Sequence, residues 1–318
     1  MNSLSRALGA LIAITVLLLA GSSAYAQAPP KKILFLAGPK EHGAPGRHEY
    51  EKDLRELAWS LDNATNLKGL RTEVIVGRPP RDLKVYEDAA AIIIEGNGDW
   101  LKTETGMFFQ QAQDTDGRVY DAETTAWLKS LDTLIKQKQI GVAMFHYTMW
   151  NDNWAGKRYI LDWLGGLWIP YASHNVVDTW AVKPLPVKHT ILNGVRPFSM
   201  REEMYARYFL FTNPRRTNLL EAMPTNPALG GPDPVAWAYE RPDGGRGFVW
   251  GGADFHDNLH TIADYRRFLL NGIAWLAKLE VPADGVAAPA QAADPPLPPP
   301  PAGRGGRGGR GPAPPGGP

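Results

Sequence analysis

The sequence predicts an α/β protein built on an open, mostly parallel sheet with helices on both faces, and three observations carry that prediction. Apolar runs at Ile33–Ala37, Ala89–Ile94 and Val142–Phe145 have the unbroken hydrophobicity of strands buried on both sides. Segments of helical periodicity lie between them, and strand–helix alternation implies right-handed crossovers and parallel pairing. Each run then stops in a polar loop, where open α/β sheets hold their ligands.

The first strand, Ile33–Ala37, ends at Gly38-Pro39 and a loop that reaches Tyr50. Leu54, Leu57, Ala58 and Leu61 then form one helical stripe. Val74–Val76 is a short second strand. Ala89–Ile94 is a third, ending in Glu95-Gly96-Asn97-Gly98-Asp99. Residues 101–121 are polar and read as an inserted surface loop. Ala122–Lys136 reads as a helix leading into the run before His146, and Lys157–Leu164 as a short helix. Val176–Val182 is a strand candidate. Residues 214–234, rich in Pro, Asn and Gly, read as loop apart from the apolar Leu219–Met223. Val235–Tyr239 and Gly247–Trp250 form a hairpin around Pro242-Asp243-Gly244-Gly245. A last helix spans Ile262–Lys278.

Residues 1–26 read as a secretory signal. Arg6 gives the positive start, Leu8–Ala20 the apolar core, and Ala24-Tyr25-Ala26 the small-x-small cleavage site. The apolar run is short for a membrane span, so a periplasmic or secreted protein with no stable membrane insertion is expected. One domain is expected over residues 30–286. From residue 287 to 318 the chain is Pro, Ala, Gly and Arg, too apolar-poor to offset the entropy of ordering, and reads as a disordered tail. Its Arg-Gly-Gly repeats read as a solvated tail or as a weak attachment to anionic envelope polymers. Among 318 residues there are 34 basic and 33 acidic side chains. That balance gives no support for a nucleic-acid partner. The chain has no cysteine, which excludes disulfides, thiolate metal sites and a Cys nucleophile.

Of seven histidines, four follow predicted strands: His42, His48, His146 and His256. Glu95 and Asp99 do too. In a doubly wound sheet these loops open on one edge, so residues distant in sequence meet there. Imidazole and carboxylate together hold a divalent metal with an open position, or pass protons near neutral pH. Taken singly, each histidine also reads as a half-buried ring bonded to backbone. His174, His189 and His260 lack acidic or strand-end context and read as surface or capping groups. Lys52 stands where His-Glu-x-x-His needs its second histidine after His48-Glu49, so that motif is absent. Gly-x-Ser-x-Gly is absent as well. Trp100, Trp150, Trp154, Trp163 and Trp168 read either as sugar-stacking rings or as loop packing.

Three segments resemble the trehalose-utilisation, or ThuA-like, family. They are Ile33–Pro39 with His42-Gly43 and His48-Glu49-Tyr50; Gly141–Tyr147; and Gly245–Gly247 through His256-Asp257 to Asn271–Trp275. Glu203-Met204-Tyr205 is similar to the family's acidic-x-Tyr element. The resemblance implies a class I glutamine amidotransferase-like fold, a flavodoxin-like three-layer sandwich with a mostly parallel sheet. In the amidotransferases a Cys occupies the turn after a central strand. Here His146 falls at or near that place, so thiol-based glutamine hydrolysis is excluded. The family's association with sugar uptake implies a small-molecule carbohydrate partner and an exported protein of trehalose or keto-sugar metabolism. On the matching positions we expect His146, His256 and Glu203 as catalytic groups. His42, His48, Glu95, Trp150 and Tyr205 are expected at the substrate. A divalent metal, zinc first, is expected on His146 and His256. The contrasting expectation is a non-catalytic carbohydrate-binding protein on the same fold.

Overall fold

A computed structural model of the chain describes residues 29–98, 122–150, 154–169 and 172–289. The expected signal segment, the loop 101–121, Asp99, Trp100, the side chain of Trp154 and the tail from residue 290 lie outside the described residues.

A nine-stranded sheet organises the molecule, in the order β2-β1-β3-β4-β9-β8-β7-β5-β6. Its first half is β1 (Lys31–Ala37), β2 (Leu70–Val76), β3 (Ala89–Glu95), β4 (Gly141–Phe145) and β9 (Arg246–Trp250), all paired in parallel. Every residue of β4 is buried, as its unbroken apolar run predicts for a central strand. Gly141 has no room for a side chain: a Cβ would sit 2.6 Å from the Leu276 carbonyl oxygen.

The second half is antiparallel: β5 (His174–Pro184), β6 (Phe198–Ala206), β7 (Arg216–Pro224) and β8 (Asp233–Glu240). The sheet is therefore mixed, not mostly parallel. The expected hairpin is present as β8–β9. β7 corrects the loop expected over 214–234, because its alternating polar residues and proline-rich ends hide a strand. β6 likewise follows from pairing with β5 rather than from a local apolar run.

Five helices accompany the sheet among the described residues: α1 (Tyr50–Asp62), α2 (Ala122–Gln137), α3 (Trp154–Leu164), α4 (Asp257–Thr261) and α5 (Ala263–Leu276). The last expected helix is present as α5, and the short α4 before it, separated by the extended backbone of Ile262, was not anticipated. On α1 the apolar stripe is buried as read, but Asp53, Glu56 and Ser60 are buried with it. No described helix is long and apolar enough to cross a membrane.

The antiparallel half returns to the parallel half at one point. The Tyr205 N–H donates to the Gly251 carbonyl at 2.9 Å, and the Gly251 N–H donates to Val235. This brings the end of β6 to the carboxyl ends of β4 and β9.

Candidate functional site

The loop after β1 and the loop after β9 are joined by backbone bonds. His48 N–H donates to the Asp254 carbonyl at 2.9 Å, and His256 N–H to the Gly46 carbonyl at 3.0 Å. Arg47 and Phe255 form an isolated bridge between the same loops. His48 adopts φ 51°, and His146, at the sharp turn after β4, adopts φ 49°. Both lie in the left-handed region that non-glycine residues rarely occupy.

These loops, with β6, gather His48, His146, Glu203 and Asp254, whose ligand atoms all lie within 4.8 Å of one another. The His48 and His146 Nε2 atoms face each other at 3.2 Å. Glu203 Oε2 is 3.8 Å from the first and 3.9 Å from the second. His146 Nδ1 faces the Gly251 carbonyl at 3.4 Å. Because a carbonyl only accepts, that contact puts the ring proton on Nδ1. His48 Nδ1 lies 3.3 Å from Asp254 Oδ1. His146 Nε2 therefore carries a lone pair toward His48, whose Nδ1, like Asp254 Oδ1 beside it, is buried without a hydrogen bond.

Charge is arranged around this pair. The Arg47 guanidinium reaches Asp254 Oδ2 at 2.6 Å and Glu203 Oε2 at 3.1 Å. Asn175 donates to Glu203 Oε1 at 2.9 Å. On the opposite face of β6, Glu202 accepts from the Asp254 N–H at 2.9 Å and from Asn258 Nδ2 at 3.1 Å, and so holds the Asp254 loop. Burial pushes the His48 ring down to about 3, helped by the charges of His42, Arg47 and Lys40. It pushes His146 well below its ordinary value, with His48 next in effect. The Asp254 carboxyl is raised to about 6 by burial, against the pull of Arg47. Both rings are therefore neutral at pH 7, the form that binds metals.

Aromatic groups close the site. Tyr205 lies edge-on to His146 with centroids 4.5 Å apart. Glu203 and Tyr205 share one face of β6, as alternation along a strand requires. Trp150 is half-buried and stacks on Trp168 at 4.2 Å. His42 is the exposed member, 47% accessible, with its ring 4.0 Å from that of His48. It forms the rim.

Three expectations are corrected. His256 does not join His146. Its Nδ1 contacts Asp53, and its Nε2 lies with Glu56 and His260 in a separate cluster. Glu95 is fully sealed, and burial raises its carboxyl well above the ordinary range, with Asp53 beside it adding to the rise. A substrate does not reach it there. His260, read as a surface or capping group, packs against Glu56 instead. Arg47, Asp254, Asp53 and Glu56 were not anticipated. Helical spacing would have put Asp53 and Glu56 beside the apolar stripe of α1, and Asp254 stands two residues before His256 in a loop already singled out.

A cleft of about 630 Å³ elsewhere, bordered by Val182, Phe198 and Met223, is apolar and shares no residue with these clusters.

No family model matches the sequence, and no curated protein does. Among solved structures, the fold is similar to that of a ThuA-like protein of Bacteroides uniformis. The TM-score is 0.54 at 13% identity, over 80% of this chain and 94% of that one. A glutamine amidotransferase of Thermotoga maritima aligns at 10% identity and TM-score 0.39, over 78% of this chain and 96% of that one. The chain thus has the fold of the ThuA-like proteins, the family its sequence resembles.

Proposed function

We propose that this chain is an exported ThuA-like protein of carbohydrate metabolism that binds a divalent cation, zinc first, on His48, His146 and Glu203, and acts on a sugar or keto-sugar. The observation that carries the reading is the convergence of His48, His146, Glu203 and Asp254, with the two Nε2 atoms 3.2 Å apart and His48 Nδ1 and Asp254 Oδ1 buried without hydrogen bonds. Neutral imidazoles and a carboxylate gathered this closely offer their lone pairs to one point. A cation with ligands at about 2.0–2.1 Å sets tetrahedral donors roughly 3.3 Å apart. Two histidines and one carboxylate, with positions left open, make the donor set of catalytic zinc and of non-haem iron.

Each neighbouring group has a role on this reading. Gly251 and Asp254 fix the ring orientations from the far nitrogens. Arg47 holds both carboxylates and would meet an anionic or carbonyl oxygen of the substrate. Tyr205, buried behind the histidines, excludes water, and the half-buried Trp150 offers a ring face to a sugar. His42, on the open rim, is placed to move a proton to or from solvent. When bound, the cation would polarise a carbonyl or hydroxyl of the substrate.

Export is supported by Arg6, the apolar run and Ala24-Tyr25-Ala26. A flavodoxin-like layering of the parallel half is supported by its order β2-β1-β3-β4-β9. The purely sugar-binding reading has less behind it, since Trp163 and Trp168 are buried and offer little ring face.

The test is metal content and turnover of His146→Asn, chosen because asparagine tolerates the left-handed backbone. The variant should carry one equivalent of zinc fewer than the parent. It should also lose any turnover found in an NMR screen of disaccharides and keto-sugars. Unchanged metal content together with unchanged turnover would remove this site from the mechanism.

A further inference from the structure

Helices α1 and α4 carry a second set of donors that the first site does not use. His256 precedes α4 as its N-cap and His260 lies one turn on within it, with their Nε2 atoms 3.1 Å apart and ring centroids 4.8 Å apart. His256 Nδ1 is committed to the Asp53 carboxylate. Its Nε2 therefore faces His260 with a lone pair, as His146 faces His48. Glu56, on α1, points into the same place. Its Oε2 is 3.3 Å from His260 Nε2 and 3.9 Å from His256 Nε2.

We propose that Glu56, His256 and His260 form a second divalent-cation site, independent of the His48–His146 cluster. The independent observation is Glu56 itself. Its side chain is fully buried, yet neither carboxylate oxygen makes a hydrogen bond. A buried carboxylate without donors is costly unless a charge or a metal meets it. The Arg266 guanidinium donates to the Leu259 and His260 carbonyls and pins α4. Three donors of one carboxylate and two imidazoles suit zinc, cobalt or nickel rather than calcium or magnesium, which take oxygen ligands. Asp53 supplies the far-nitrogen orientation expected around a metal-bound histidine. His260 is 19% exposed, which leaves an entry route and a place for a water ligand.

The site ties α1 to the segment two residues beyond Asp254. A cation here braces the loop that orients His48, a structural role separate from chemistry at the first cluster.

The test is cobalt loading of the chelator-stripped full chain, read by stoichiometry and by visible absorption. The parent is compared with His260→Ala, Glu56→Gln, His146→Asn and the His146→Asn/His260→Ala double variant. His260 lies near the surface and Gln keeps the volume of Glu56, so both single variants should fold. Their far-ultraviolet circular dichroism checks that. The parent should bind two equivalents, each single variant one, and the double variant none. Zinc should raise the melting temperature of His146→Asn but raise that of His260→Ala less than the parent's. If His260→Ala and Glu56→Gln bind as many equivalents as the parent, the second site does not exist. If the parent binds a single equivalent that His260→Ala loses and His146→Asn keeps, the second site stands and the first falls.

Discussion

His48 and His146, from loops 98 residues apart, bring their Nε2 atoms to 3.2 Å, and both do so from left-handed backbone. Such backbone costs of order 1 kcal/mol or more at each residue. Packing alone gives no reason to hold two neutral imidazoles nose to nose beside two carboxylates. A shared ligand does. Asp254 is the group through which that arrangement is most directly tested.

Asp254 touches His48 Nδ1 at 3.3 Å and lies in the grip of Arg47. Asp254→Asn removes the anion that favours the reactive tautomer of His48. Second-sphere changes of this kind weaken metal binding by roughly 10–100-fold. Competition against a chromophoric chelator should show that loss at the first site. Unchanged affinity would mean that Asp254 only neutralises Arg47.

Arg47 should act in the opposite sense on affinity. Its guanidinium stands 2.6 Å from Asp254 and 3.1 Å from Glu203, where it competes with a cation for the same carboxylates. Arg47→Met keeps the stem over Phe255 and removes the charge. The metal-free variant should be less stable by about 2 kcal/mol, since two carboxylates lose their partner. Zinc affinity should rise by tenfold or so. A fall in both would show that Arg47 shapes the site rather than competing for it.

What the sequence revealed, and what it hid, follows from where each cause lies. β1, β3 and β4 were legible because a strand buried on both faces needs an unbroken apolar run, and β8–β9 because its turn residues are strung together. β6 and β7 were not, because their order comes from pairing with β5 and β8 and neither is an unbroken apolar run. The meeting of His48 and His146 was legible in outline, since loops after parallel strands share an edge. The direction in which each side chain leaves its loop is a tertiary property. Pairing His146 with His256 therefore failed: His256 turns toward Asp53 on α1. Glu203 was visible only through family resemblance, as nothing local marks it apart from Glu202. The helix before Ile262 was invisible because five residues are too few to show an apolar period. With α4 unseen, the one-turn spacing of His256 and His260 lost its meaning.

Gly251 joins the two halves of the sheet, and its replacement should damage fold and site together. Its carbonyl receives the Tyr205 N–H at 2.9 Å and faces His146 Nδ1. A Cβ there would lie 2.4 Å from the Tyr205 carbonyl oxygen, which as backbone yields little. Gly251→Ala should cost about 1–3 kcal/mol, as overpacking commonly does, and should weaken zinc binding at the first site. Melting curves with and without zinc give both readings. A lower melting temperature with full zinc stabilisation would confine the role of Gly251 to packing.

Far from either cluster, His189 offers a pH dependence that can be isolated. Its Nδ1 accepts the Ile191 N–H at 3.2 Å and caps the short turn Thr190–Leu192. Its ring lies 5.0 Å from that of Trp275. Burial lowers its pKa; Glu240 opposes that shift and Arg246 reinforces it. Above about pH 6.5, the ordinary histidine value, folded and unfolded chains both carry the neutral ring, and its contribution to stability is complete. As pH falls below that value, the unfolded chain takes up a proton that the folded ring resists, so stability is lost toward the lower folded pKa. Protonation at Nδ1 would also turn the capping acceptor into a donor. His189→Asn keeps an oxygen at the cap and cannot titrate. Urea unfolding at pH 7.5 and pH 5 should therefore show a smaller acid loss in the variant than in the parent. Equal losses would mean that the His189 ring opens to solvent and charges without breaking the cap.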